Sequence, residues 1–598
     1  MRPLRERGAR PWGRRALWGV STVLIILALH GYIGVAQCGD NNSWLLDLGE
    51  RFIGSFSHIE YYDLLALFLL PVAFRWLDER DAAGSPVLAV VFALLFMAAR
   101  SLQSVGSLYF FYANGFQVFY SLLLTAGWSA LFELLLRLLY LALAGGGRST
   151  PDRRECRRLG LWSFLAILVC WLPWSLAAYP GTFCPDSLVQ LAQALGLRPW
   201  TSYSPVFSTW LMGALLWLGE RVASRSFGCF LYLLLQTALG ALVFSLCVRF
   251  LRELGLGLRA CMLALAFFAL TPLWGCFSQF YEKDLLYAEL ATLNLVCAAA
   301  VLRERRCSWG RAALLILSGV LMSLARNNGV YASVPLLLAL ALYVREGRRP
   351  LLAALGSVLG AYLLVTAVLY PALGVEKGSV RDLLSLPLQQ TARYVSGCPE
   401  EVTPEERAAI DAVVDLDRLA QEYDPVFADP VKDMYREDCS KLPAYFRVWS
   451  SMGLRRPLVY LEAFLHKSYG YLAPVEKSMG AFVSPGVSDA AYGISAPEAS
   501  WLPAAFQQLA VAGISLPAVS SLYMPGLYTW LILACMVLLG KRGKKAELIL
   551  FIPALVNLAF CLGSPLHCAI RYALPVVASA PLLLGWTAAA AHGEGREP

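Results

Sequence analysis

The stretch Tyr179-Pro180-Gly181-Thr182-Phe183-Cys184-Pro185-Asp186-Ser187 follows an apolar run over 159–178, and a second apolar run starts near Pro205. A run of about twenty apolar residues is what a helix needs to cross a ~30 Å hydrocarbon core. Pro180, Gly181 and Pro185 then break the helix and shape a turn. Asp186 therefore stands in a short loop at the edge of a membrane span, where an ionisable group is a candidate for function.

Runs of this kind recur over 16–36, 61–77, 86–104, 116–144, 159–178, 205–220, 227–248, 257–275, 284–302, 311–325, 330–344, 351–374, 522–540, 546–563 and 572–591. The 598 residues are 58% hydrophobic and 15% charged, and their mean hydropathy is +0.57. A soluble chain carries about 25% charged residues. The sequence predicts an all-α polytopic membrane protein of about 14–16 transmembrane helices, with a mostly helical external soluble segment. The first run follows a basic head, Arg2 to Arg15. It lacks a persuasive small-residue cleavage site at Ala36-Gln37-Cys38, and so reads as a retained helix.

The net charge of +8 is no nucleic-acid signal, because the Lys and Arg residues lie in short connectors between spans. Positive residues favour the cytoplasmic side. The N-terminus, 75–80, 148–158, 249–259, 303–311, 345–349 and 541–545 are therefore predicted inside a plasma membrane, and both termini with them. The loops 179–204, 275–284, 326–329, 375–521 and 563–571 are predicted outside. One conflict stands. Two spans between 205 and 250 would put Arg249, Arg252 and Arg259 outside, and fifteen spans cannot join two inside termini, so one segment of 205–250 is predicted to be re-entrant or split. By domain, 1–150 is an N-terminal transmembrane unit of about four helices, 151–374 a central transmembrane module, 375–521 the extracellular segment, and 522–598 the closing helices and tail.

Segment 375–521 holds 19 acidic and 13 basic residues, and two cysteines, Cys398 and Cys439. The two could pair in an oxidising compartment, but spacing alone leaves a disulfide and two free thiols equally open. Thr403-Pro404-Glu405-Glu406 reads as an N-cap, an N1 proline and an acidic first turn. The 15 cysteines show no CxxC pair, which argues against structural zinc.

The polar groups on the predicted outer face are the functional candidates. Asp186 or Ser187 can cap a helix over 187–197 whose Leu188, Leu191, Ala192 and Leu195 form one apolar stripe along the interface. Capping does not preclude catalysis, since it also holds a carboxylate rigidly. Glu282-Lys283-Asp284 opens a span, as interfacial solvation or as a site for phosphate or a divalent metal. Arg326-Asn327-Asn328-Gly329 is a tight turn that Asn328 and Gly329 explain, whereas Arg326 ends a span on the disfavoured side and suits a phosphate. Arg571 repeats that anomaly beside His567 and Tyr572. His466-Lys467-Ser468-Tyr469 has no evident partner. Mid-span Glu133 and Arg137, four residues apart, could pair.

The motif order is Pro180-Gly181-Thr182-Phe183, Pro185-Asp186-Ser187, Tyr203-Ser204-Pro205-Val206, Lys283-Asp284, Arg326-Asn327-Asn328-Gly329, Pro387-Leu388-Gln389-Gln390-Thr391-Ala392-Arg393, Tyr423-Asp424-Pro425, Ala428-Asp429-Pro430-Val431-Lys432, and Arg571-Tyr572-Ala573-Leu574-Pro575. In these features the chain resembles the GT-C superfamily of polytopic glycosyltransferases, and more closely a family of uncharacterised bacterial membrane proteins of that type, over about 160–590. The resemblance implies a polyprenyl-phosphate or polyprenyl-diphosphate sugar donor bound from the outer side, with Asp186 as catalytic base. It further implies a second acidic site, at Glu282 or Asp284, for metal or donor. Many members open the next helix with His-Pro. Here Ser204-Pro205 replaces that pair, and no histidine role carries over.

Three classes of function follow. In a glycosyltransferase acting on an envelope glycan, lipid or protein, Asp186 takes a proton while Lys283, Arg326 and Arg571 hold the departing phosphate. Asn327, Asn328 and His567 are further candidates, and no cofactor beyond a divalent metal is suggested. A flippase or transporter of a lipid-linked or anionic precursor would place its charges near the midplane. An envelope scaffold would use 375–521 to bind a partner and would tolerate changes at all these sites.

Overall fold

The apolar runs become helices because a backbone in hydrocarbon must satisfy its own hydrogen bonds. In the computed structural model, residues 11–35, 61–145, 149–478, 482–487, 490–496 and 501–592 are described. They are helical, with only isolated β-bridges between them. The chain forms two units, Met1–Gly145 and Gly146–Pro598.

The first unit holds α1 (Pro11–His30), α2 (Tyr61–Asp78), α3 (Pro86–Val105) and α4 (Gly115–Gly145). Leu27, Met97, Phe116, Tyr120 and Leu124 make its core. α1 and α4 cross at Gly127, where a Cβ would lie 2.1 Å from the Leu24 carbonyl oxygen. Arg137 reaches Asp78 at 2.5 Å, and Glu133 accepts from the Ser85 amide at 2.9 Å.

The second unit contains α5 (Arg153–Ala177), α6 (Pro185–Ala194), α7 (Val206–Val222), α8 (Arg225–Glu253), α9 (Leu258–Leu270), α10 (Pro272–Ser278), α11 (Lys283–Glu304), α12 (Trp309–Ala325), α13 (Gly329–Tyr343) and α14 (Arg348–Ala372). The 375–521 segment supplies α15 (Ser385–Gly397), α16 (Pro404–Asp411), α17 (Leu442–Arg455), α18 (Pro457–Leu472), α19 (Leu502–Ser515) and α20 (Pro517–Tyr523). Then follow α21 (Pro525–Lys541), α22 (Lys545–Leu562) and α23 (Ile570–Ala591). Among the described residues, eight helices are long and apolar enough to cross a membrane, or ten if two bent pairs each count as one span. The chain is a multi-pass membrane protein by this measure. Adding the shorter apolar helices Trp309–Ala325, Gly329–Tyr343 and Pro525–Lys541 brings the count among the described residues to at most 13, against the expected 14–16.

Connectors in this unit gather into two groups. Thr182 bonds Gln279, Ser202 bonds Glu376 and Asn327, and Ala428 bonds Pro565, so the loops read as external meet one another. Arg252 bonds Ser149 and Glu155, and Cys307 bonds Glu346, so the basic connectors meet separately.

This grouping bears on the conflict over 205–250. α7 and α8 are both continuous helices, neither split. The loop before α7 is held by Glu376 and Gly378, and the turn after it by Tyr492 and Ser495. Both ends of α7 thus contact the 375–521 segment, as expected of a helix that returns to the face it left. α8, at 29 residues, is about 43 Å long, more than one hydrocarbon thickness, and crosses once to the basic face. Gly219 and Gly228 let the two helices touch, since a Cβ on Gly219 would lie 2.1 Å from the Gly228 Cα. Trp210, Trp217 and Val222 on α7 are exposed, as suits a helix in the aromatic interfacial belt.

Two further expectations are corrected. The 375–521 segment is not wholly soluble in character, because α19 and α20 are apolar, bent by 89°, and packed on the spans through Phe506 and Trp174. Cys398 and Cys439 are free thiols, the second exposed, and no disulfide joins them. The Thr403 cap holds: its hydroxyl accepts from the Glu406 amide, and Glu406 accepts from the Thr403 amide.

That expectation for α7 is directly testable. In sealed vesicles of one orientation, with exposed Cys439 replaced by Ser, Arg198→Cys and Glu220→Cys should both react with an impermeant maleimide from the same side. Labelling from opposite sides would make α7 a span.

Candidate functional site

The Asp186 loop is held by backbone on two sides. The Thr182 amide donates to the Gln279 carbonyl and the Tyr281 amide to the Thr182 carbonyl, each at 3.0 Å. The Gly486 amide donates to the Gly181 carbonyl, and the Ser484 amide to the Thr182 hydroxyl. Gly181 has φ +146°, a region that favours glycine. Below the loop, Leu191, Met212, Tyr232, Leu233 and Tyr281 form a buried cluster. The apolar stripe of α6 packs here, and Gln190 bonds Ser208 and Thr209 of α7.

Neither Asp186 nor Ser187 is the N-cap. Cys184 occupies that position, Pro185 follows at N1, and the Ser187 hydroxyl accepts from the Cys184 amide at 2.7 Å. With capping assigned to its neighbours, the Asp186 carboxylate points at cations. Its Oδ2 lies 3.4 Å from Lys283 Nζ and 3.4 Å from an Arg571 nitrogen.

The 279–284 segment supplies the centre of the site. The Tyr232 hydroxyl donates to the Glu282 carbonyl, and the Gln236 amide to the Ser278 and Phe280 carbonyls. These bonds fix the entry to α11, whose N-cap is Glu282. Glu282 is 3% exposed, 3.1 Å from Arg571 and 4.0 Å from Lys283. Asp284 is 1% exposed and lies 3.1 Å from Arg326, at ion-pair distance but without hydrogen-bond alignment. Tyr572 stands between the arginines. It accepts from Arg571 at 2.7 Å, and the Arg326 guanidinium lies 5.3 Å from its ring.

Three carboxylates, Asp186, Glu282 and Asp284, thus meet three cations, Lys283, Arg326 and Arg571. The cluster draws on four places in the sequence and closes at the edge of the spans. Burial works to raise the Asp186 carboxyl, but Lys283 and Arg571 outweigh it and hold Asp186 below the usual aspartate range. Burial, and then the Asp284 carboxylate, push Glu282 above the usual glutamate range against Arg571 and Lys283. The Glu282–Asp284 pair does not fit a divalent cation, because each carboxylate is already turned to a guanidinium. Among the described residues, no group of three or more His, Cys, Asp or Glu is disposed to hold a metal.

The other candidates lie at the margin. Asn327 donates to the Ser202 carbonyl at 3.0 Å and ties its turn to the loop before α7. Asn328 is the N-cap of α13 without a side-chain capping bond. His567 faces Glu476 at 3.1 Å and packs on the Tyr469 ring. Sequence reasoning missed Glu289, deeper in α11, whose fully buried carboxyl lies against Gly240 and Trp171. An isolated acid within an apolar span is its signal.

Deleting one partner of a buried ion pair costs about 3–5 kcal/mol. Arg571→Met should accordingly lower the thermal midpoint of the purified protein, and adding Glu282→Gln should recover most of the loss. Non-additivity of that double-mutant cycle is the measured quantity.

Nothing among the curated proteins or the solved structures matches the chain. Residues 199–597 match a family of unknown function, DUF6020, across a region that starts after Asp186 and contains Glu282, Lys283, Asp284, Arg326 and Arg571. With well over half of its length matched, the chain belongs to the family of unknown function DUF6020.

Proposed function

We propose that the protein is a membrane glycosyltransferase of GT-C type, moving a sugar from a polyprenyl-phosphate or polyprenyl-diphosphate donor to an envelope acceptor on the outer face. The observation that carries this reading is the convergence of Asp186 with Lys283 and Arg571 at the edge of the spans. The donor's prenyl tail would lie in the bilayer and its phosphate at Lys283 and Arg571. An acceptor hydroxyl oxygen attacks the anomeric carbon, the bond from that carbon to the phosphate oxygen breaks, and the lipid phosphate leaves with the electron pair. The hydroxyl proton passes to Asp186. The arginines and the lysine stabilise the charge growing on the phosphate.

A carboxylate held at low pKa by two cations is a weak base. A donor phosphate that draws Lys283 and Arg571 to itself reverses this, because Asp186 loses its counter-charges and gains an anionic neighbour. Both changes raise its pKa toward the working pH. Donor binding thereby activates the base.

Two outcomes test this. Asp186→Asn should lower kcat by about 10²–10⁴-fold, the usual worth of a general base, with the donor KM little changed and the protein folded; undiminished turnover removes Asp186 from the mechanism. The acid limb of kcat, which reports the bound enzyme, should lie at higher pH than that of kcat/KM for the donor, which reports the free enzyme. Coincident limbs would contradict activation by the donor. The buried Glu289 favours one other reading, a transporter of a lipid-linked or anionic precursor, and substrate accumulating in sealed vesicles without covalent product would select it.

A further inference from the structure

A second group of charges lies in the 375–521 segment, beside the Asp186 cluster. Lys432 ends the short helix Asp429–Lys432, is 4% exposed, and has its Nζ 2.7 Å from both Asp382 and Asp429. Lys467, on α18, is fully buried. Among the described residues its Nζ has no hydrogen-bond partner. The charges acting on it are those of Lys432 and Asp429, so the two lysines share one neighbourhood. Burial, and then the Lys432 ammonium, push the Lys467 amine down to about 8.

Tyr203 joins this group to the first. The charges of Asp382, Asp186, Lys432 and Lys283 all act on its phenol. The Arg381 guanidinium lies 5.9 Å from its ring, and its loop is pinned to 376–378 by Ser202.

A buried ammonium carries three donors and no acceptor, and an unpaired buried charge is strongly disfavoured. The nearby carboxylates, Asp382 and Asp429, already hold Lys432. What Lys467 lacks is an oxyanion, and the second ammonium beside it favours the same ligand. Lysine meets phosphate as a point charge, and three oxygens of one phosphoryl group can satisfy donors from two side chains.

We propose that Lys467 and Lys432 form a second anion subsite, and that it takes a phosphoryl group carried by the acceptor. The assignment to the acceptor rests on the transferase reading, whereas the anion subsite itself does not. It lies in the segment outside the spans, on the side from which a polar acceptor approaches.

The test uses the full chain in nanodiscs, with inorganic phosphate as the probe in titration calorimetry. Lys467→Met, which keeps the length of the side chain and removes its charge, should weaken one class of phosphate site by tenfold or more while leaving the thermal midpoint at or above that of the wild type. If the methionine variant does not fold, Lys467→Gln carries the same test. Phosphate sites unchanged in number and affinity would overturn the subsite. With active enzyme, Lys467→Met should raise the acceptor KM and leave the donor KM alone. A raised donor KM would instead assign the subsite to a second phosphate of the donor and overturn the acceptor. A chain without transferase activity sinks the transferase reading, and with it the acceptor, while the calorimetry still decides the subsite.

Discussion

Charge pairing at the mouth of α11 is the constraint on which the rest of the second unit depends. Glu282 and Asp284 are buried carboxylates at a membrane edge, where an uncompensated charge is not tolerated. Each therefore requires a guanidinium, and the two arginines come from different places: Arg326 from the turn between α12 and α13, Arg571 from the start of α23. Lys283, between the two acids in sequence, turns to Asp186. Five helices and two loops are thereby brought to common registration, and the polar atoms of Tyr232 and Gln236 fix the backbone that carries the acids.

The same pairing gives the site its chemical character. A neutral cluster of three acids and three bases has its cations already ordered and its carboxylate base held in check. In the transferase proposed above, an incoming phosphate would exchange one anion for another at the cations rather than create a new charge in a dry place. That exchange is cheaper than burying a new ion pair, and it ties base strength to occupancy. The net-neutral arrangement also explains why the loops can lie close against the spans without unpaired charge reaching the hydrocarbon.

Much of this was legible in the sequence. Long apolar runs gave the helices within a few residues, and the basic connectors gave a two-sided sorting that the loop contacts reproduce. Asp186, Lys283, Arg326 and Arg571 stood out because topology alone does not account for them. The role of α7 was not legible, because its composition is apolar and its length is near that of a crossing; the contacts at its two ends, both with 375–521, arise only from tertiary packing. The capping role was misassigned because Cys184 is an uncommon N-cap, so Asp186 and Ser187 drew the inference. Lys467 looked like any surface lysine, since its burial and the competition of Lys432 for Asp382 and Asp429 arise from tertiary packing. Cys398 and Cys439 shared a compartment, but spacing in sequence carries no information on their Cα separation.

Arg571 and Glu282 are 289 residues apart, and this has a consequence for biogenesis. α11 emerges from the ribosome long before α23, and until the last helix inserts, Glu282 lacks its guanidinium. The acid must wait protonated or in contact with water, so α11 cannot settle to its final depth early. The cluster closes only once α23 has been made. A chain stalled before residue 571 would leave Glu282 without its guanidinium.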